Sequence, residues 1–356
     1  MPSISTSQKF KLIDFLGFIL HKLVWASLLV AITMGGSTWA WSSVSAIAVW
    51  ALFGISLLFY IIQQFFCLFT SPSHRIFPVH FLCSQTTILL FVATAATMTA
   101  LVIPIFYIPL LYQFAHGSCP ITSATHLIPS IAAYFLVTLC TGVLLPKIGY
   151  YKAIYLLAST LMISGGTFMT RVRIDTSSKM VYLYSILVGT GVGMTFQIAY
   201  DIGMSKVSRE ARIPATSDDG MVKESVGDEQ KLIAYTNVAQ VGCVGIALGV
   251  AGRVYQNLRV CKLQNVFGDE VPVGIIRGAL GGLKGERVES LGSVGEEMMG
   301  RALDAVVEAM ASVYWLLVAA GVTIAICGIG MKWERVVMEP EVQGNRSYSV
   351  NHEATV

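Results

Sequence analysis

Charge is scarce in this chain. Asp, Glu, Lys and Arg make up 13% of its 356 residues, about half the ~25% typical of soluble domains, which excludes an array of soluble domains. The net charge of +3 is small and scattered, so nucleic acid is not an expected partner. Seven cysteines include no CxxC pair, which leaves no zinc ribbon or dithiol motif; Cys67, Cys140, Cys243 and Cys327 lie in apolar runs, where cysteine packs as a small hydrophobe. A GxxxxGK[ST] loop is missing, which argues against an ATP-driven pump. There is no HExxH, and the histidines at 21, 74, 80, 116, 126 and 352 have no ligand spacing, so no metal or cofactor is expected. Without a GxSxG elbow, an enzyme is the weakest class.

What the chain does have is apolar length. Hydrophobic residues make up 54%, gathered into runs of the roughly 20 residues a helix needs to cross a bilayer. Eight spans are predicted, at 12–34, 45–69, 84–114, 126–145, 151–170, 181–204, 232–256 and 312–331. They are too long and too uniformly apolar for barrel strands, so the fold class is an all-α integral membrane protein. The first run lacks a small-residue cleavage site and reads as a span. Pro104 and Pro109 predict a kinked or tilted third span.

Lysine and arginine orient the spans. One side carries Lys9, Lys11, Arg75, Lys147, Lys152, Lys206, Arg209, Arg212, Lys223, Lys231, Lys332 and Arg335; short loops opposite carry Arg171, Arg173 and Lys179. The positive-inside rule makes both termini cytoplasmic. The only N-x-[ST] sequon, at Asn345, then lies in a cytoplasmic tail and carries no glycan. The segment 257–310 is external, and its final stretch sets Met299, Leu303, Val306, Val307 and Met310 at helical spacing, for packing on the membrane surface or the bundle. Residues 207–230 read as a flexible polar loop. Cys119 and Cys261 fall near the external surface, where a disulfide requires α-carbons within ~7 Å.

Glycines recur at 189, 191 and 193 and at 242, 245, 249 and 252. Close helix packing is the ordinary reading, and a sliding or bending helix the alternative. Between the fourth and fifth spans the sequence runs from Gly142 through Pro146, Lys147 and Gly149 to Lys152. This G-x-L-x-x-K-x-G-x-x-K pattern resembles the cytoplasmic loop signature of the major facilitator superfamily in its degenerate second-half form, with Pro146 where the first-half version has an aspartate. Asp14-Phe-Leu-Gly17, Arg75-Ile-Phe-Pro78, Tyr107-Ile-Pro109 through Phe114, Leu127-Ile-Pro129, the 189–193 glycines, Asn237-Val-Ala-Gln240 and Gly252-Arg-Val-Tyr-Gln-Asn257 follow in order over residues 10–335. Together they resemble the fungal fourteen-span drug:proton antiporters, the branch that includes mycotoxin and trichothecene efflux pumps.

The resemblance implies the following plan: a tail at 1–11, two linker-type helices and a loop at 12–82, a six-helix C-terminal transport half at 83–335, and a disordered tail at 336–356. The family's first six helices have no counterpart here. The implied function is that of a secondary active, proton-coupled exporter of amphipathic small molecules or secondary metabolites, in a plasma, vacuolar or vesicular membrane. The alternative is a non-transporting truncated membrane protein, either self-associating or paired with another transporter half. Expected partners are the lipid bilayer, an amphipathic substrate and protons.

Candidate cavity-lining residues are Tyr107, Tyr112, Gln113, Gln197, Tyr200, Asn237 and Gln240, phenols and amides that are costly facing lipid; gluing helices together is the alternative for each. Such a lining suits a large, neutral or weakly cationic molecule. Asp201 is the weak candidate for proton coupling, against an interfacial role. Lys22, beside His21, is either functional at mid-span or snorkels to the interface.

Overall fold

The computed structural model describes residues 14–36, 38–70, 76–212, 226–267 and 296–335. The N-terminal and C-terminal tails, Asn345 and the centre of the 257–310 segment lie outside the described residues. The helices are α1 (Phe15–Met34), α2 (Val44–Phe66), α3 (Gln85–His116), the short α4 (Pro120–Thr125), α5 (Ile128–Ile148), α6 (Tyr151–Met169), α7 (Ser178–Thr195), α8 (Ile198–Arg212), α9 (Val226–Phe267), α10 (Glu296–Val313) and α11 (Trp315–Gly330). They form eight runs long and apolar enough to cross a membrane. No strand occurs among the described residues. The chain is an integral, multi-pass, all-α membrane protein.

Packing follows the small residues. α6 lies between α7 and α11, while α3 packs against α9, α10 and α11. A Cβ at Gly191 would lie 2.6 Å from Met162 Cγ on α6, whereas Cβ atoms at Gly189 and Gly193 would each meet an α5 carbonyl, of Ser130 and Tyr134, at 2.6 Å. The three α7 glycines therefore let two helices approach from opposite sides. On α9, Cβ atoms at Gly242, Gly245 and Gly249 would fall 2.3, 2.6 and 2.8 Å from Trp25, Leu29 and Ile32 of α1. Both series ascend, so α1 runs parallel to α9, and the stripe is the seat of the α1–α2 hairpin.

The two ends of the bundle have different fastenings. At one end, Lys262 Nζ is 2.8 Å and Arg173 Nη2 3.9 Å from Glu308, joining the α6–α7 turn to α9 and α10. At the other, Lys152 Nζ donates to the carbonyls of Ile329 and Met331, both at 2.9 Å. The loop-motif lysine thus caps the last helix, where a cation is favoured. Gly149 closes α5 with φ 71° and donates to Leu145 O at 2.8 Å, a left-handed position that suits glycine. Lys147 is exposed, and nothing lies within 4 Å of a Cβ at Gly142.

The described helices refine several expectations. α3 continues unbroken through Pro104 and Pro109; its 32 residues make about 48 Å at 1.5 Å per residue, so tilt or projection accommodates the length. The sixth span, expected to be continuous over 181–204, breaks at Phe196–Gln197 between α7 and α8. Helix extends into the expected polar loop at 207–212 and 226–230. It also enters 257–310 from both sides, because Lys262 and Glu308 pair between α9 and α10. α10 packs on the bundle, burying Ala302, Ala305, Val306, Val307, Ala309 and Met310. Cys119 and Cys261 are both free and exposed.

Candidate functional site: a polar seam at a broken helix

The break at 196–197 interrupts a helix ladder within an apolar run. Phe196 N still reaches Val192 O at 2.9 Å, but the ladder resumes through Gln197 O, which accepts from Tyr200 N at 3.0 Å and Asp201 N at 3.3 Å. Such irregular backbone is tolerated at membrane depth where it is enclosed by protein or lines a cavity. Just before the break, Thr195 and Thr97, both 1% exposed, place their hydroxyls 2.9 Å apart and tie α7 to α3. Each also reaches a carbonyl of its own helix. This pair escaped the sequence reading because threonine satisfies itself that way anywhere in an apolar helix.

Three expected lining residues meet beyond the break. The Tyr200 hydroxyl lies 2.6 Å from Asn237 Oδ1 and 3.0 Å from Gln240 Oε1. A phenol has one hydrogen, so it donates to one amide oxygen; turning the other amide over lets its NH2 donate to the phenol. Among the described residues, Gln240 Nε2 is buried without a partner. Asn237 and Gln197 are exposed and Tyr200 is half-buried. The seam thus offers amide groups at the edge of an apolar wall, one of them unsatisfied.

Tyr107, Tyr112 and Gln113 belong elsewhere. They sit toward the Arg173 end of α3, whose opposite end contacts Gly330 O through Gln85. Tyr107 is 6% exposed and meets Tyr255 edge-on at 5.9 Å; Tyr112, 3% exposed, stacks on His126 at 3.5 Å. His126 Nδ1 is hydrogen-bonded to the Tyr182 hydroxyl. Gln113, half-buried, follows on the same helix. This second group is an aromatic interlock between α3, the α4–α5 turn, α7 and α9, apart from the Tyr200 seam. Between α3, α5 and α7 lies a small apolar groove lined by Pro104, Ile105, Ser130, Tyr134 and Gly189 among others.

The ionisable candidates separate as well. Asp201, half-buried, follows Tyr200 on α8 and is within electrostatic reach of the buried Tyr155. It is the only carboxylate within the spans Gln85–His116, Pro120–Ile148, Tyr151–Met169, Ser178–Ser205 and Gln230–Phe267. Lys22 is exposed, and its ammonium lies over the Phe18 ring at 5.4 Å, one turn toward the start of α1; this is the snorkelling geometry. Sequence reasoning missed the buried polar contacts of Asp14 with Gln63 and Gln64; adjacent amides in an otherwise apolar run were the available signal.

The relatives agree with a transport protein. Over 324 residues the chain is 32% identical to the efflux pump patC of Aspergillus clavatus, an alignment covering 91% of this chain and 55% of that one. Over most of its length the chain is similar to fungal MFS-type efflux pumps. It is also 30% identical over 310 residues to the MFS-type transporter patC of Penicillium expansum, covering 87% of this chain and 53% of that one. The efflux pump alnA of Emericella nidulans is 26% identical over 337 residues, with 94% and 57% covered. No family model matches the chain. The chain spans about half the length of the curated relatives it matches. Its setting is a lipid bilayer.

Proposed function

We propose that this chain supplies a substrate-contacting wall of a secondary active exporter of amphipathic small molecules, coupled to an inward proton gradient. The observation that carries the reading is the broken helix at Gln197 followed by the Tyr200–Asn237–Gln240 seam, with an unpaired amide on an apolar wall. Transport of this kind places the substrate near the midplane, where discontinuous helices expose polar backbone. A neutral or weakly cationic amphiphile fits: its apolar body lies along the wall, and an oxygen accepts from Gln240 Nε2, relieving the cost of a buried unpaired amide. Asp201, one residue from the seam phenol, exchanges the proton that opposes substrate movement. The lysine and arginine asymmetry sets the direction, with both termini cytoplasmic and the Lys152 end of the bundle facing inward.

The test is saturable binding of a weakly cationic rhodamine-class dye to the chain reconstituted in phosphatidylcholine vesicles. Gln240→Ala and Tyr200→Phe are each expected to weaken binding about three- to tenfold, the worth of one hydrogen bond. Phe66→Ala, on an exposed face of α2, leaves binding unchanged. Asp201→Asn diminishes the effect of an imposed pH gradient on bound dye. Binding that is non-saturable, or that responds equally to Phe66→Ala and Gln240→Ala, would refute the reading.

A further inference from the structure

The α1–α2 hairpin holds titratable groups that the seam does not use. Asp14 is 3% exposed and accepts from Gly17 N at 2.8 Å, Gln63 Nε2 at 2.9 Å and Gln64 Nε2 at 3.0 Å. All three donors are neutral, and Asp14 is in no salt bridge among the described residues. Its charge is solvated but not cancelled. Tyr60 of α2 stands within electrostatic reach of Asp14, and its hydroxyl is 3.2 Å from His21 Nδ1. His21, half-buried, meets Trp25 edge-on, with ring centroids 6.2 Å apart. Trp25 in turn fills the notch at Gly242 of α9, two residues from Gln240.

The groups around His21 can be named helix by helix. From α1 comes Lys22, drawn back over Phe18. From α2 comes Tyr60, and the α9 residues that α1 meets, Gly242, Gly245 and Gly249, bring no side chain. We propose that the hairpin is a proton-binding site in its own right, with His21 as the acceptor and Tyr60, itself within reach of Asp14, as its hydrogen-bond partner, and that Trp25 carries its state to α9. A proton from the aqueous phase binds the bare ring nitrogen and the ring gains one positive charge; no other bond breaks. If that nitrogen is Nδ1, the hydrogen bond to Tyr60 reverses, because both nitrogens of an imidazolium donate. A cation favours the face of an indole over its edge, so charging His21 turns Trp25 within the Gly242 notch and moves the segment bearing Gln240.

The proton site stands independently of the transport reading; only its effect on Gln240 rests on that reading. The experiment uses the reconstituted chain without ligand. With 13C-labelled histidine, the ring resonance absent from His21→Gln is expected to shift between pH 5 and pH 8, and tryptophan emission to change over the same range. Trp25→Phe and His21→Gln each abolish the emission change, and Lys22→Gln, which removes the exposed cation beside His21, retains it. A His21 resonance that does not titrate overturns the site, and an emission change surviving Trp25→Phe overturns the relay. In a second arm, the ratio of dye affinities at pH 5.5 and 7.5, about threefold or more in the parent, falls in His21→Gln; a ratio unchanged by His21→Gln would break the link to Gln240. Failure of dye to bind at all counts against the transport reading and leaves the ligand-free arm to decide the proton site.

Discussion

Single side chains carry most of the chemistry, and Cys119 offers the simplest check on their geometry. Its thiol lies 3.0 Å from the Thr122 hydroxyl, and that bond, with nearby backbone donors, holds it below the ordinary thiol range. A lowered value means that more thiolate is present at neutral pH. The expected result is an iodoacetamide reaction with Cys119 that reaches half its maximal rate below pH ~8.5, the unperturbed midpoint; in Thr122→Val the midpoint moves upward. A profile unaffected by Thr122→Val contradicts the contact. At this scale the sequence was partly legible. Tyr200, Asn237 and Gln240 stood out as amides and a phenol in apolar runs, and they meet. Tyr107, Tyr112 and Gln113 stood out for the same reason yet lie in a different group, because spacing along one helix says nothing about which neighbour a side chain will face.

Helices decide how those side chains are presented. The Trp25–Gly242 contact predicts that Gly242→Ala forces an indole ring aside, at about 1–3 kcal/mol for overpacking, whereas Gly252→Ala, with nothing within 4 Å, is tolerated. Thermal unfolding in detergent reads the difference, and equal midpoints for the two variants would rule out the packing of α1 on α9 described above. The spans themselves were legible because hydropathy accumulates over twenty residues. The break at 196–197 was not: no proline marks it, and a single glutamine leaves the run apolar. Nor was the extension of α9 to Phe267, since Lys262 remains helical through pairing with Glu308 on α10, a partner far away in sequence.

At the scale of the molecule, the bundle joins a helix pair to a six-span unit through one glycine-lined seam, and the unit's discontinuity faces Tyr200 and Gln240. The alternation of ends was legible from lysine and arginine alone, and the two fastenings, Lys152 on α11 and Arg173 with Lys262 on Glu308, fall at opposite ends as that alternation requires. We propose that substrate meets the protein at the broken helix and not on its lipid-facing surface. Photolabelling the reconstituted chain with a diazirine-bearing weakly cationic amphiphile, and mapping the adducts by mass spectrometry, tests it most directly. Adducts concentrated on Gln197, Tyr200, Asn237 and Gln240, and displaced by excess unlabelled compound, are the predicted result. Adducts spread over the exposed Phe65, Phe66 and Phe69, and insensitive to competitor, would contradict it.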